Sequence, residues 1–76
     1  MARVNIENRV FRLKHGKETR VPGVKDVFQF QDGQEFHIVA DVIYMGGHPL
    51  PPGLQKPLID WVLGNRILFV EDTRHF

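Results

Sequence analysis

Two segments of the chain repeat the same order of apolar and polar residues, one from Val10 to Val21 and the other from Val27 to Ile38. In each segment, apolar residues alternate with polar ones before and after a central glycine. A period of two is typical of half-buried strands, and glycine is typical of the tight turn between them. Each segment is therefore predicted to form a β-hairpin of its own.

The faces of the predicted strands decide the length of the hairpin turns. A two-residue turn would leave no single apolar face, whereas three-residue turns over residues 14–16 and 31–33 align the apolar side chains. The expected cross-strand pairs are Phe11 with Thr19, Arg12 with Glu18, Phe28 with Phe36, and Gln29 with Glu35.

The last strand of the second hairpin is predicted to continue from Glu35 to Met45. Its inward face would carry Phe36, Ile38, Ala40, Val42 and Tyr44, and its outward face Glu35, His37, Val39, Asp41, Ile43 and Met45. Because both faces turn apolar after Asp41, we expect the helix or another subunit to cover that end on both sides.

A proline- and glycine-rich loop over residues 46–53 is predicted to lead into one short helix from Leu54 to Leu63. Pro57 would lie in the first helical turn, where its missing N–H costs little, and Gly64 with Asn65 would end the helix. A buried strand is predicted from Ile67 to Val70, followed by a polar end.

These elements predict an α+β fold with a small antiparallel sheet from two similar consecutive hairpins, one short helix in the C-terminal half and a final strand. The 76 residues are expected to form a single domain, residues 1–76. The helix is apolar around most of its circumference, and one small sheet covers only one side of it. We therefore expect a homodimer or a higher oligomer.

Composition excludes several classes of site. The chain has no cysteine, and its four histidines lack metal-ligand spacing, so neither a metal nor a cofactor is expected. Its apolar runs are too short to span a bilayer, and its first residues lack the apolar stretch of a signal peptide, so a cytoplasmic protein is expected.

Charge is unevenly distributed along the chain. Residues 1–25 carry a formal charge of +5 and residues 26–76 one of −4. A basic face of the first hairpin could bind an anion, either a nucleotide or nucleic acid. The residues of this face would be Arg12, Lys14 and Arg20, and Arg9, just before the hairpin, is a further candidate for the same site. A solvated surface explains the same residues and is the favoured interpretation, and the two oppositely charged parts could also meet between subunits.

An apolar surface for a protein partner is the second candidate site. The proline-rich loop is preordered and the helix has surplus apolar side chains, although both could simply close the core. The residues of this predicted interaction surface are Leu50, Pro51, Pro52, Leu58, Trp61 and Val62.

Catalytic chemistry has little support in the sequence. Glu35, His37 and Asp41 share a predicted strand face, but their spacing along a strand holds no nucleophile against a base. Gly46 and Gly47 could offer amides to an anion, yet no phosphate-loop lysine follows them. The sequence thus favours a non-enzymatic interaction module of the accessory or inhibitor type, with an anion-binding protein as the alternative.

Overall fold

The computed structural model describes residues 6–75, with only the backbone described for His75. Its elements are β1 (Glu7–Leu13), β2 (Glu18–Arg20), β3 (Val27–Gln29), β4 (Glu35–Val39), β5 (Val42–Met45), β6 (His48–Pro49), α1 (Pro52–Gly64), a 3-10 turn (Arg66–Leu68) and β7 (Phe69–His75). Five strands form one antiparallel sheet in the order β6-β5-β4-β1-β7, and β2 pairs with β3 in a second sheet. The predicted α+β class is confirmed.

The two repeated segments pair with each other, and neither folds back on itself. β1 lies beside β4, and β2 lies beside β3. In both ladders the numbers of each pair of residues add up to 47, so the second ladder continues the register of the first. Together they form one long two-stranded ribbon over residues 8–39, which we call the ribbon. The prediction of two separate hairpins is wrong, because the observed pairs are Phe11 with Phe36, Arg12 with Glu35, Thr19 with Phe28, and Glu18 with Gln29.

The ribbon reverses direction at Pro22 and Gly23, outside both predicted turns. The amide of Val24 donates to the carbonyl of Val21 at 3.0 Å, and Gly23 has a φ of +85°. Proline followed by a glycine of positive φ is the residue pair of a type II turn. This turn is the physical reason for the cross-pairing, since it places the second segment beside the first in a register that keeps both apolar faces together.

The residues predicted as turns, 14–16 and 31–33, lie opposite each other in the middle of the ribbon, where they interrupt the regular pairing of its two strands. The amide of Gly16 donates to Oδ1 of Asp32 at 2.6 Å, and the amide of Gly33 donates to the carbonyl of Leu13 at 3.0 Å. The two backbones approach so closely that a Cβ at Gly16 would lie 2.5 Å from the carbonyl carbon of Gln31. Position 16 therefore requires glycine, because the two backbones lie too close together to leave room for a Cβ.

A two-residue turn at Ala40 and Asp41 separates β4 from β5, where one continuous strand is predicted. Both residues have positive φ, 49° and 62°, as in a type I′ turn. The turn folds β5 back onto β4 with Ile43 opposite Ile38. The predicted faces after Asp41 are therefore reversed, and Ile43 is fully buried in the core.

The proline-rich segment is only partly a loop. Gly46 and Gly47 have positive φ and form a second tight turn, after which His48–Pro49 pairs with β5 as the edge strand β6. An edge is the place in a sheet where a proline is tolerated. The helix begins at Pro52, so Pro57 lies inside it and not in its first turn as predicted.

The apolar circumference of α1 is covered by the ribbon as well as by the sheet. The ring of Trp61 stacks on Phe30, which directly follows β3, with centroids 5.3 Å apart. On its other side it meets the edges of Phe36 and Phe69 from the sheet, at 6.0 Å and 5.4 Å. The folded monomer thus buries the part of the helix that we expected to need another subunit.

The C-terminal segment differs from the predicted buried strand at Ile67 to Val70. Residues 66–68 form a 3-10 turn in which Ile67 is 84% exposed, and Phe69 is the first buried residue of β7. β7 then continues along β1 to His75. Residues 71–76 were predicted as a polar end; of these, residues 71–75 form most of the edge strand β7, and residue 76 lies outside the described residues.

Candidate functional site

The five-stranded sheet contributes alternate residues to two different faces. One face supplies Phe11, Phe36, Ile43 and Phe69 to the core. Residues between these point the other way along each strand. We call this second side the open face, and it carries Asn8, Val10, Arg12, Glu35, His37, Val39, Val42, Tyr44, Val70, Asp72 and Arg74.

Four polar side chains on the open face form a continuous chain of hydrogen bonds. Nδ2 of Asn8 donates to Nδ1 of His37 at 3.0 Å. Nε2 of His37 lies 3.2 Å from one oxygen of Glu35, and Arg12 donates to the other at 3.1 Å. Because an amide nitrogen only donates, Nδ1 is the acceptor and the proton of the neutral ring lies on Nε2, facing Glu35. Hydrogen bonds from His37 and then from Arg12 lower the pKa of Glu35.

A cavity of about 310 Å³ lies beside this chain of hydrogen bonds. The described residues that line it are Asn8, His37, Val39, Tyr44 and Gly47. Asn8 is only 4% exposed, and its Oδ1 has no hydrogen-bond partner within the described residues. Among the described residues the walls are therefore apolar and aromatic around the imidazole of His37, whereas Oδ1 of Asn8 is buried beneath them.

The structure brings together part of the predicted catalytic face. Glu35 and His37 are in direct contact, whereas Asp41 lies exposed in the β4–β5 turn. Within residues 6–75, no serine or cysteine is present to act as a nucleophile beside them. The pair contacts Asn8 through His37 and Arg12 through Glu35.

The four predicted anion-binding residues are not gathered into one cluster. Arg9 binds Glu71 at 2.9 Å on the core side of β1, and Arg12 binds Glu35 on the open face. Lys14 lies in the ribbon irregularity and Arg20 further along in β2, both exposed. An anion would have to displace a carboxylate at two of the four positions.

The predicted interaction surface is divided between core and solvent. Leu58, Trp61 and Val62 are buried, and Trp61 exposes only 7% of its surface. These three positions are therefore not an accessible surface in this fold, because they belong to the hydrophobic core. Of the other three residues, Leu50 is half-buried, while Pro51 and the first helical residue Pro52 are exposed.

The free edge of β7 is a site that the sequence analysis does not predict. β7 is the last strand of the sheet, so one side of its backbone has no neighbour among the described strands. Val70 is 49% exposed next to it. Asp72 and Arg74 lie on the open face with Nε of Arg74 3.6 Å from a carboxylate oxygen of Asp72.

Glu71, on the core side of β7, should make the stability of the fold depend on pH. It accepts from Arg9 and Arg66, and the bond from Arg9 is the main cause that lowers the pKa of Glu71 below its ordinary 4.5. A lowered pKa stabilises the folded state above pH 4.5, and this contribution is lost as the pH falls through the folded-state value. We expect Glu71→Gln to cost about 1 kcal/mol of unfolding free energy at neutral pH.

Urea unfolding from pH 7 down to pH 2 tests this expectation. The difference between wild type and Glu71→Gln should shrink towards zero as the pH falls below 4.5. Asp60→Asn, on the exposed surface of α1, serves as the control with little effect. A difference that stays constant over this range would contradict the assigned role of Glu71.

No protein-family model, curated protein or solved structure matches the chain. Among the described residues, no three His, Cys, Asp or Glu side chains are placed to hold a metal ion. Over the same residues 6–75, no helix is both long enough and apolar enough to cross a membrane.

Proposed function

We propose that the protein is a non-enzymatic interaction module of the accessory or inhibitor type, acting by protein–protein contact, and that its first partner is a second copy of itself, joined through β7. The observation that carries this proposal is the order Asp72, Thr73, Arg74 on a free edge strand. A long unpaired edge is a template for pairing with another strand.

The charges of two copies of β7 are complementary when the strands pair antiparallel about a twofold axis at Thr73. Each Asp72 then lies directly opposite Arg74 of the other copy, and the symmetry produces this pair twice. Opposite charges in directly opposite positions stabilise a strand pair. The two five-stranded sheets would join into one sheet of ten strands.

The neighbouring registers are disfavoured by the same charges. An axis at Asp72 would place two carboxylates opposite each other, and an axis at Arg74 would place two guanidinium groups opposite each other. An axis at Glu71 would again oppose two carboxylates. Because like charges in opposite positions destabilise a strand pair, the register centred on Thr73 is the favoured one.

The anion-binding alternative has weaker support from the geometry. Arg9 and Arg12 already hold carboxylates, and they lie on opposite faces of β1. The β7 edge, in contrast, has no neighbouring strand among residues 6–75 and has exposed apolar neighbours at Ile67 and Val70. The lack of cysteine is compatible with a cytoplasmic setting for such a module, which remains a prediction.

Charge reversal at two positions of β7 tests the proposed homodimer. Native mass spectrometry should show a dimer for the wild-type chain. Asp72→Arg should give a monomer, because it places arginines opposite each other, and Arg74→Asp should do so by opposing aspartates. The double exchange restores opposite charges in every pair and should restore the dimer.

Asp60→Arg makes the same change of charge on the exposed surface of α1 and should leave the dimer intact. A monomeric wild-type protein would refute self-association. A dimer that survives both single reversals would show that another surface joins the copies.

A further inference from the structure

The five-stranded sheet has a second edge at β6, on the side opposite β7. Both residues of β6, His48 and Pro49, are exposed, and no described strand lies beyond them. An edge with unpaired N–H and C=O groups can add another strand, so a sheet with two open edges would let copies join without limit. The backbone of β6 therefore decides how many copies can assemble.

The hydrogen bonds of Leu50 show which backbone groups of this segment face inward. Its amide donates to the carbonyl of Ile43 in β5 at 3.0 Å, and its carbonyl accepts from Nε2 of Gln55 at 2.8 Å. Oε1 of the same Gln55 side chain accepts from the amide of Ile43 at 2.8 Å. Both backbone groups of Leu50 are therefore directed towards β5 and not towards the free edge.

The residues on either side of Leu50 have the opposite orientation. Pro49 lies opposite Tyr44 in the ladder between β5 and β6. Because inward-facing and outward-facing residues alternate along an antiparallel strand, the backbone nitrogen of Pro49 faces the free edge. The next residue in this alternation is Pro51, whose φ of −54° and ψ of 151° keep it extended.

These two outward positions offer no donor to an added strand. Proline has no backbone N–H, and both positions are prolines. The carbonyl of Pro51 already accepts from the amide of Leu54 at 2.9 Å. A strand laid against β6 would thus lose water from its own carbonyl groups without gaining partners there. β7, in contrast, contains no proline between Phe69 and His75.

We propose that Pro49 and Pro51 close the β6 edge, so that the five-stranded sheet can be extended only through β7 and assembly stops at two copies. The number two rests on the proposed homodimer, whereas the closure of β6 does not. With both edges open, dimers joined through β7 would join again through β6 and form a growing series.

Pro49→Thr/Pro51→Thr tests the closure, because it returns an N–H to both positions and threonine favours strands. Threonine also suits position 51, which is the N-cap of α1. Native mass spectrometry over a concentration series should show four or more copies, in even numbers, where the wild type shows two. In the Asp72→Arg background the same double change should produce two copies where Asp72→Arg alone gives one.

Two controls separate edge pairing from a general effect of losing prolines. Pro49→Lys/Pro51→Lys returns the same two donors, but it places like charges opposite each other when two such edges pair antiparallel. It should therefore have as many copies as the wild type. Pro52→Ala removes the neighbouring exposed proline, which lies in α1 and not at the edge, and should also leave the number unchanged.

The number of copies of the threonine variant, relative to its own parent, decides the inference. If the wild type is a monomer, the homodimer is refuted, yet the threonine variant should still pair through β6. A folded threonine variant with as many copies as its parent in both backgrounds would overturn the closure, and so would assembly of the lysine variant. Pro49→Thr alone, which leaves the N-cap unchanged, provides the same comparison if the double variant does not fold.

Discussion

Gly16→Ala is expected to destabilise the fold strongly. The new Cβ would lie 2.5 Å from the carbonyl carbon of Gln31 and 2.6 Å from the amide nitrogen of Asp32, and closer still to the carbonyl oxygen of Phe30. All three contacts are with backbone, so no side-chain rotation relieves them. The ribbon has to separate at its irregularity, which breaks the hydrogen bond from Gly16 to Asp32.

The expected loss is about 3 kcal/mol of unfolding free energy, at the upper end for overpacking. In a domain of this size each kcal/mol lowers the melting temperature by about 4–8 °C, so a decrease above about 12 °C is expected. Thermal unfolding followed by circular dichroism measures it. Gly53→Ala is the matched control, because a Cβ there meets nothing within 4 Å and alanine favours the helix.

The two substitutions should therefore move the melting temperature in opposite directions. A Gly16→Ala protein that melts within a few degrees of the wild type would contradict the cross-paired ribbon. Two separate hairpins, each with its own turn, would bring no second backbone against Gly16.

Trp61→Ala is expected to be the most destabilising change in the helix. The indole ring lies between Phe30 of the ribbon and the sheet residues Phe36 and Phe69, so its removal leaves a cavity where the three parts of the fold meet. Large aromatic-to-alanine changes in a core cost about 3–5 kcal/mol. Chemical denaturation should show this loss with a cooperative transition, if any folded protein remains.

Ile67→Ala provides the contrast for the Trp61 prediction. Ile67 is 84% exposed, so its truncation should change the unfolding free energy by less than about 0.5 kcal/mol. The sequence alone suggested that Trp61 could face a partner, in which case its loss would spare folding. Equal stability of Trp61→Ala and wild type would support that earlier interpretation and contradict the packing described above.

The sequence predicted the types of element better than their partners. Alternation around Phe11 and Phe28 correctly indicated strands, and the apolar run around Trp61 indicated the helix. Alternation carries no information about which strand lies beside which, since the repeated segments offer the same apolar face in either arrangement. The decisive signal was the Pro22-Gly23 pair, a type II turn that could have been weighed against the two glycine turns.

The turn between β4 and β5 illustrates a harder limit. Ala40 and Asp41 both adopt positive φ, although they are not the Asn-Gly pair that usually marks a type I′ turn. Tertiary packing of Ile43 against the core compensates the local cost. No local pattern in the sequence distinguishes this turn from a continuing strand.

The candidate sites depend on these long-range pairings. Asn8 meets His37 only because β1 lies beside β4, and a local hairpin would have kept them apart. The free edge of β7 likewise appears only once residues 69–75 are placed at the end of the sheet. In contrast, the surplus apolar side chains of the helix were visible in the sequence, but the ribbon that covers them was not.

A mixture of the two single charge-reversal variants tests the central claim most directly. Asp72→Arg carries arginine at both edge positions and Arg74→Asp carries aspartate at both, so each should be monomeric alone. Pairing about Thr73 places every arginine of one opposite an aspartate of the other, and native mass spectrometry of the mixture should show a heterodimer. Two monomers in the mixture, or a dimer of either variant alone, would contradict self-association through β7.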